Sequence, residues 1–237
     1  MFSYYGSKSK IIDLYPPPQY DTIIEPFAGS ARYALKYWDR NIIIVDKYEV
    51  VVKVWKWLQL CSEKDIISLP TLRQSDDIRL LSLCEEAKML LGFLAGVSST
   101  QPRYKVSKFA ANADGRKNEL KRIAANIHKI KNWDIRHGDY EDIENINSTW
   151  FIDPPYQFGG NAYVHKNIDY TNLKEWCLSR NGHIIICENT KADWLEFRPI
   201  KNIYGANGYK EITTEAIWTN RQSSYGVIQG SLFSHCG

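Results

Sequence analysis

No CxxC pair joins the five cysteines of this chain, Cys61, Cys84, Cys177, Cys187 and Cys236. With Cys187 inside an apolar run, they read as free thiols in a reducing cytoplasm. The five histidines, His128, His137, His165, His183 and His235, are scattered without ligand spacing, so no metal site is expected. A signal peptide and an apolar run of membrane length are also missing, and Met1-Phe2-Ser3-Tyr4 already reads as structural. A soluble intracellular protein is therefore expected. No internal repeat or low-complexity linker interrupts the 237 residues, and 44% hydrophobic with 13% aromatic content is too rich for a disordered chain. After the first strand-like segment the three spaced glycines of the dinucleotide fingerprint are absent, which disfavours a pyrophosphate ligand.

Against these absences stands one informative stretch, Trp150-Phe151-Ile152-Asp153-Pro154-Pro155-Tyr156. It reads as a buried strand ending in an acid, two prolines and an aromatic ring. Proline lacks an N–H, fixes φ and biases the residue before it towards extended backbone, so Asp153 is held at a strand end. In open α/β sheets ligands bind beyond the carboxyl ends of the strands. There the Asp153 carboxylate and a Pro154 carbonyl can accept hydrogen bonds from an exocyclic amino group while Tyr156 stacks on the ring that bears it. By itself the tetrapeptide is also consistent with a turn that merely ends a strand.

Along the chain, Tyr4-Tyr5-Gly6-Ser7-Lys8 predicts a glycine turn into a short helix before Pro16-Pro17-Pro18. Thr22 to Phe27 predicts a first strand, Ala28-Gly29-Ser30 a tight turn, and Ala31 to Trp38 a helix, so that backbone N–H groups can approach a ligand at Gly29. Ile42 to Asp46 predicts a second strand ending in an acid 17 residues after Gly29, where nucleotide-binding α/β folds hold ribose hydroxyls. Val51, Val54, Trp55 and Leu58 mark one face of the next helix. Strands then disappear from about Cys61 to Asn132. A helix is expected from Asp76-Asp77 through Leu94 and another around Leu120 to Ile127, with a long loop of basic and aromatic residues between them. Strand patterns resume at Ile135 to Asp139, at Asp153 and at His183 to Glu188. Tyr170 opens a helix, Gln157 to Asn161 reads as a lid, and Thr213 to Asn220 is a late strand.

Charge is uneven. Between Arg103 and Lys131 nine basic residues face Asp114 and Glu119, a net +7 in a chain of net +3, which leaves −4 elsewhere. Such a segment suits a surface that tracks phosphates, although a solvated face has the same composition. Arg103, Tyr104, Lys105, Lys108, Arg116, Lys117, Lys121 and Arg122 are the candidate nucleic-acid contacts.

Seven segments, in order, resemble the Dam-type, alpha-order DNA adenine-N6 methyltransferases, in which the cofactor motif precedes the recognition region and Asp-Pro-Pro-Tyr follows it. They are Tyr4 to Lys8, Glu25 to Gly29, Asp46, Arg103-Tyr104 with Phe109, Gly138-Asp139-Tyr140, Asp153 to Tyr156, and Thr214 to Asn220. Two departures stand out: Gly6-Ser7 replaces the family's usual Gly-Gly, and Ser30-Ala31-Arg32 its glycine-rich continuation. The resemblance implies an α/β, Rossmann-like S-adenosylmethionine-dependent methyltransferase sheet over 1–60 and 133–237. An inserted, mainly helical target-recognition subdomain would occupy 61–132. It implies S-adenosylmethionine as cofactor, contacted at Tyr4, Lys8, Asp46 and Asp153; Phe27, Gly29 and Asp139 join that pocket from the residue reading. Asp153, Pro154, Pro155 and Tyr156 become the catalytic segment, and duplex DNA the partner. The expected form is a monomer or weak dimer on DNA, cytoplasmic and bacterial or phage-encoded. An N4-cytosine or RNA-directed enzyme, or a DNA-binding module that has lost methyl transfer, is an alternative reading.

Overall fold

A computed structural model of the chain describes residues 1–2, 4–9, 11–74, 76–96, 99–106, 113–204 and 212–221. Lys108 and Phe109 lie outside the described residues. So does the tail from Gln222.

Seven strands, β1 (Thr22–Glu25), β2 (Asn41–Asp46), β3 (Asp134–His137), β4 (Ser148–Ile152), β5 (Gly182–Asn189), β6 (Arg198–Tyr204) and β7 (Ile212–Thr219), form one sheet in the order β3-β2-β1-β4-β5-β7-β6. The first five pair in parallel, and β7 pairs antiparallel with both β5 and β6. A parallel sheet must be covered on both faces, and the strands are apolar on both. Alternation divides them: Ile23, Ile44, Phe151, Ile185 and Cys187 join one buried cluster, while Ile24, Val45, Trp150, Ile152, Ile184 and Ile186 join the other. Fully burying each such side chain contributes about 1.5–3 kcal/mol.

The first face carries α1 (Arg32–Lys36), α2 (Glu49–Leu60), α3 (Glu63–Ile67), α4 (Glu85–Leu94) and α5 (Ala113–Ala124). The second carries α6 (Tyr170–Leu178), through Leu173, Trp176 and Cys177. Among the described residues of 61–132, helices alternate with loops, and the only extended pairing is a bridge between Asp77 and Lys105. This segment shares its core with the sheet, since Leu72, Ile78, Leu90, Phe93, Leu120 and Ile127 belong to the same cluster as Ile23 and Val51. The helix expected from Asp76-Asp77 begins later. Asp77 caps only a 3-10 turn at Ile78–Leu80, where its carboxylate accepts from the Arg79 amide, and α4 starts at Glu85. The helix expected over Ala31 to Trp38 is shorter, at Arg32–Lys36, and Lys8 precedes a 3-10 turn at Ile12–Leu14.

The order reverses direction between β1 and β4, which lie side by side with Ile24 opposite Trp150. At such a switch point the connections leave to opposite sides and open a crevice.

Candidate active site

A cavity of about 310 Å³ occupies that crevice, within the usual range for small-molecule sites. The carboxyl ends of the strands supply its acids: Glu25 closes β1, Asp46 closes β2, Asp139 follows β3, and Asp153 follows β4. Tyr4, Lys8, Phe27, Gly29, Asp46, Asp139 and Asp153, the seven residues expected from the sequence around a cofactor, all line it. Of the Asp-Pro-Pro-Tyr segment, Asp153 and Pro155 face the cavity, Pro154 is buried, and Tyr156 lies partly buried behind the wall.

Local backbone explains the wall at Gly29. The residue adopts φ 44°, in the left-handed region, and a Cβ there would press on the Tyr4 ring at 3.1 Å. Its amide donates to Asp46 Oδ2 at 2.8 Å, while the Tyr48 amide donates to Oδ1 at 2.8 Å. Asp46 thus braces the turn, and burial holds its pKa above the ordinary value despite both bonds. Asp139 accepts from the Tyr140 amide at 2.7 Å and pairs with Lys47 at 2.5 Å. Phe27 and Tyr140 lie 5.3 Å apart as an aromatic flank.

Lys8 is the centre of a second network. It is 7% exposed, its Nζ lies 2.8 Å from Asp153 Oδ1 and 3.7 Å from Glu215 Oε1, and it sits 4.7 Å above the Tyr156 ring. Glu215, on β7, is buried and accepts from the Tyr15 hydroxyl at 2.6 Å and from the Tyr156 hydroxyl. Burial drives the Asp153 carboxyl up to about 6; Lys8 opposes that shift and Glu215 adds to it. Burial pulls the Lys8 ammonium the other way, but Asp153 and Glu215 outweigh it and keep the cation charged. Glu25, in the same wall, is pushed up to about 8 by burial although the Ala34 amide donates to it. The cavity lining carries six acids, Glu25, Asp46, Asp139, Glu141, Asp153 and Asp169, against Lys8, Arg32 and Lys47.

No family model matches the chain, and no curated protein does. Among solved structures it is similar to a conserved hypothetical protein from Streptococcus pyogenes, with 11% identity and a TM-score of 0.33 over 84% of this chain and 86% of that one. A likeness this weak carries no argument about fold or activity.

The opposite wall contains residues that motif reading passed over. Tyr163 packs edge-on to Tyr5 at 5.4 Å, its hydroxyl donates to the Tyr5 carbonyl at 3.4 Å, and with His165 and Asp169 it closes the cavity from above. Glu25 did carry a signal: Glu25-Pro26 repeats, at the end of β1, the acid-proline pattern of Asp153-Pro154. Glu215 entered only through the late segment of the resemblance.

The candidate nucleic-acid residues divide. Arg103, Tyr104, Lys105, Lys117, Lys121 and Arg122 are exposed. The Tyr104 carbonyl accepts from the Ile78 amide at 2.8 Å, and the ring lies under the Arg79 guanidinium at 5.1 Å. Arg116 is instead buried, donating to the Leu72 carbonyl. It supports the helical segment from within and presents no charge to the surface.

Proposed function

We propose that the protein transfers a methyl group from S-adenosylmethionine to the exocyclic N6 amino group of adenine in duplex DNA. The observation that carries this reading is the convergence of the seven expected residues on one cavity whose ionisable lining is predominantly acidic. An excess of carboxylates favours a ligand of net positive charge, such as a sulfonium amino acid, and disfavours a pyrophosphate. The sheet is compatible with the same assignment. It keeps the β3-β2-β1-β4-β5 half of the dinucleotide-binding order and departs from it where β7 enters antiparallel.

The cavity lining suits an adenosine laid against Phe27 and the Gly29 turn, with Asp46 towards the ribose hydroxyls and Lys8 towards a carboxylate. The bound sulfonium supplies the electrophilic methyl group. The chain's part is alignment: Asp153, ionised above pH about 6 and held by Lys8, accepts an amino hydrogen and directs the nitrogen lone pair. Lys8 over the Tyr156 ring and the bond from the Tyr156 hydroxyl to Glu215 fix that ring behind the cavity wall. The exposed cations of α5 and the Arg103-Tyr104-Lys105 loop serve as the DNA-facing surface.

The test is transfer of labelled methyl groups to duplexes with adenine or N6-blocked adenine. Asp153→Ala is expected to lose about a hundred- to a thousandfold in rate, the range for removing a preorganised hydrogen-bonding group, while DNA binding persists. Full activity in that variant, or label on cytosine alone, would overturn the assignment.

A further inference from the structure

A second cleft, of about 140 Å³, lies on the other side of Arg32 and has the opposite electrostatic character. Arg32 from α1, Arg122 from α5 and Lys129 from the 3-10 turn at Ile127–Ile130 line it, with Met1, Leu35 and Asn126. Among the described residues that line it, none is acidic. The nearest compensation is Glu119, which accepts from Arg122 Nη2 at 3.1 Å. Three cations from three elements repel one another here, and an oxyanion would be met by Lys129 Nζ and by the guanidinium N–H groups that the bonds of Arg32 to Ser7 and Phe2 and of Arg122 to Glu119 leave over.

The cleft is also firmly built. Arg32 donates through Nε to Ser7 Oγ at 2.9 Å and through Nη2 to the Phe2 carbonyl at 3.1 Å, and Asn126 donates to the Arg122 carbonyl at 2.7 Å. Burial and then the Arg122 charge lower the Arg32 pKa to about 10, with Glu119 opposing them.

We propose that this cleft is an oxyanion site for a single phosphate group. Arg32 lines both this cleft and the acidic cavity, and it ties down the Phe2 to Ser7 segment. A phosphate held here therefore steadies the chain that carries Tyr4 and Lys8. The site does not depend on methyl transfer, and its test does not read methyl transfer.

Inorganic phosphate is titrated into the full chain at fixed ionic strength, with chloride as the balancing anion, and binding is followed by phosphorus NMR line broadening. Saturable binding is expected. The double variant Arg122→Ala/Lys129→Ala should weaken it at least tenfold, while Lys64→Ala/Lys174→Ala, which removes two exposed cations outside both cavities, should leave it unchanged. Displacement of phosphate by a short duplex identifies a DNA backbone phosphate as the source; binding that the duplex does not displace identifies the free anion. The proposal fails if binding does not saturate, if the Arg122/Lys129 variant binds as the wild type does, or if both double variants weaken it equally. Circular dichroism of the variants separates loss of the site from loss of fold.

Discussion

Replacing Lys8 by methionine keeps most of the side-chain volume and removes the cation that, among the described residues, stands between Asp153 and Glu215. The pair itself contributes little net stability, because burying both charges offsets their attraction. Removing one partner is different, since it takes away the ammonium 2.8 Å from the Asp153 carboxylate and leaves that carboxylate beside Glu215, which is 3% exposed. Breaking a buried pair in this way costs about 3–5 kcal/mol. The cost depends on pH with a definite sign. Asp153 has a folded-state value of about 6 against an ordinary 3.8, so the folded chain binds the proton first. Its contribution to stability is complete below the lower value and is lost as pH rises through the upper one. Lys8 holds the upper value down, so its removal extends that window to higher pH. Urea unfolding should therefore show Lys8→Met several kcal/mol less stable than wild type at pH 7.5, with the gap narrowing at pH 5. Lys8→Met/Asp153→Asn should recover part of the loss at pH 7.5. A penalty below about 1 kcal/mol, equal at both pH values, would mean that Lys8 is not buried between the two carboxylates.

Gly6 has φ 73°, and an added Cβ would overlap the Tyr163 hydroxyl, so Gly6→Ala should destabilise by at least the 1–2 kcal/mol of left-handed strain, read as a lower urea midpoint. Ala31 adopts φ 44° without being glycine; Ala31→Gly relieves similar strain against a smaller entropic cost, so thermal unfolding should shift upward by the equivalent of about 0.5–1 kcal/mol. Asp46→Ala removes a charged acceptor and the brace of the Gly29 turn, and calorimetry should show S-adenosylmethionine bound more weakly by roughly 1.5–3 kcal/mol; an unchanged affinity removes Asp46 from the ligand's contacts.

The strands that build the cavity were legible because each is a short apolar run ending in an acid: Thr22–Glu25, Asn41–Asp46 and Ser148–Ile152 with Asp153. Burial on both faces demands such runs, and a charge can follow only where the sheet stops. β6 was not legible, because Arg198-Pro199-Ile200-Lys201-Asn202 is polar and carries a proline. It is the edge strand, where proline is tolerated, and its pairing with β7 shifts register between Pro199 and Lys201. The helix expected at Asp76-Asp77 failed because an aspartate signals a cap without signalling how long the helix beyond it will be. Arg116 reads as surface charge in any composition count, and only packing turns it inward to Leu72. The departure at Ser30-Ala31-Arg32 acquires a physical meaning: Ala31 occupies a conformation that favours glycine, and Arg32 stands between two cavities of opposite charge.

The bond from Tyr15 to Glu215 joins residues 200 apart in the chain. Closing a loop of that length directly would cost roughly 5 kcal/mol of chain entropy, so it forms after the intervening sheet has brought its ends together. During synthesis the Asp-Pro-Pro-Tyr strand, Lys8 and the whole acidic rim leave the ribosome before β7 exists. A chain that stops short of residue 212 has every acid of the cavity and no acceptor in Glu215 for the hydroxyls of Tyr15 and Tyr156. Closure of this corner of the cavity therefore waits for β7, and products truncated before residue 212 carry the motif without the brace that holds it.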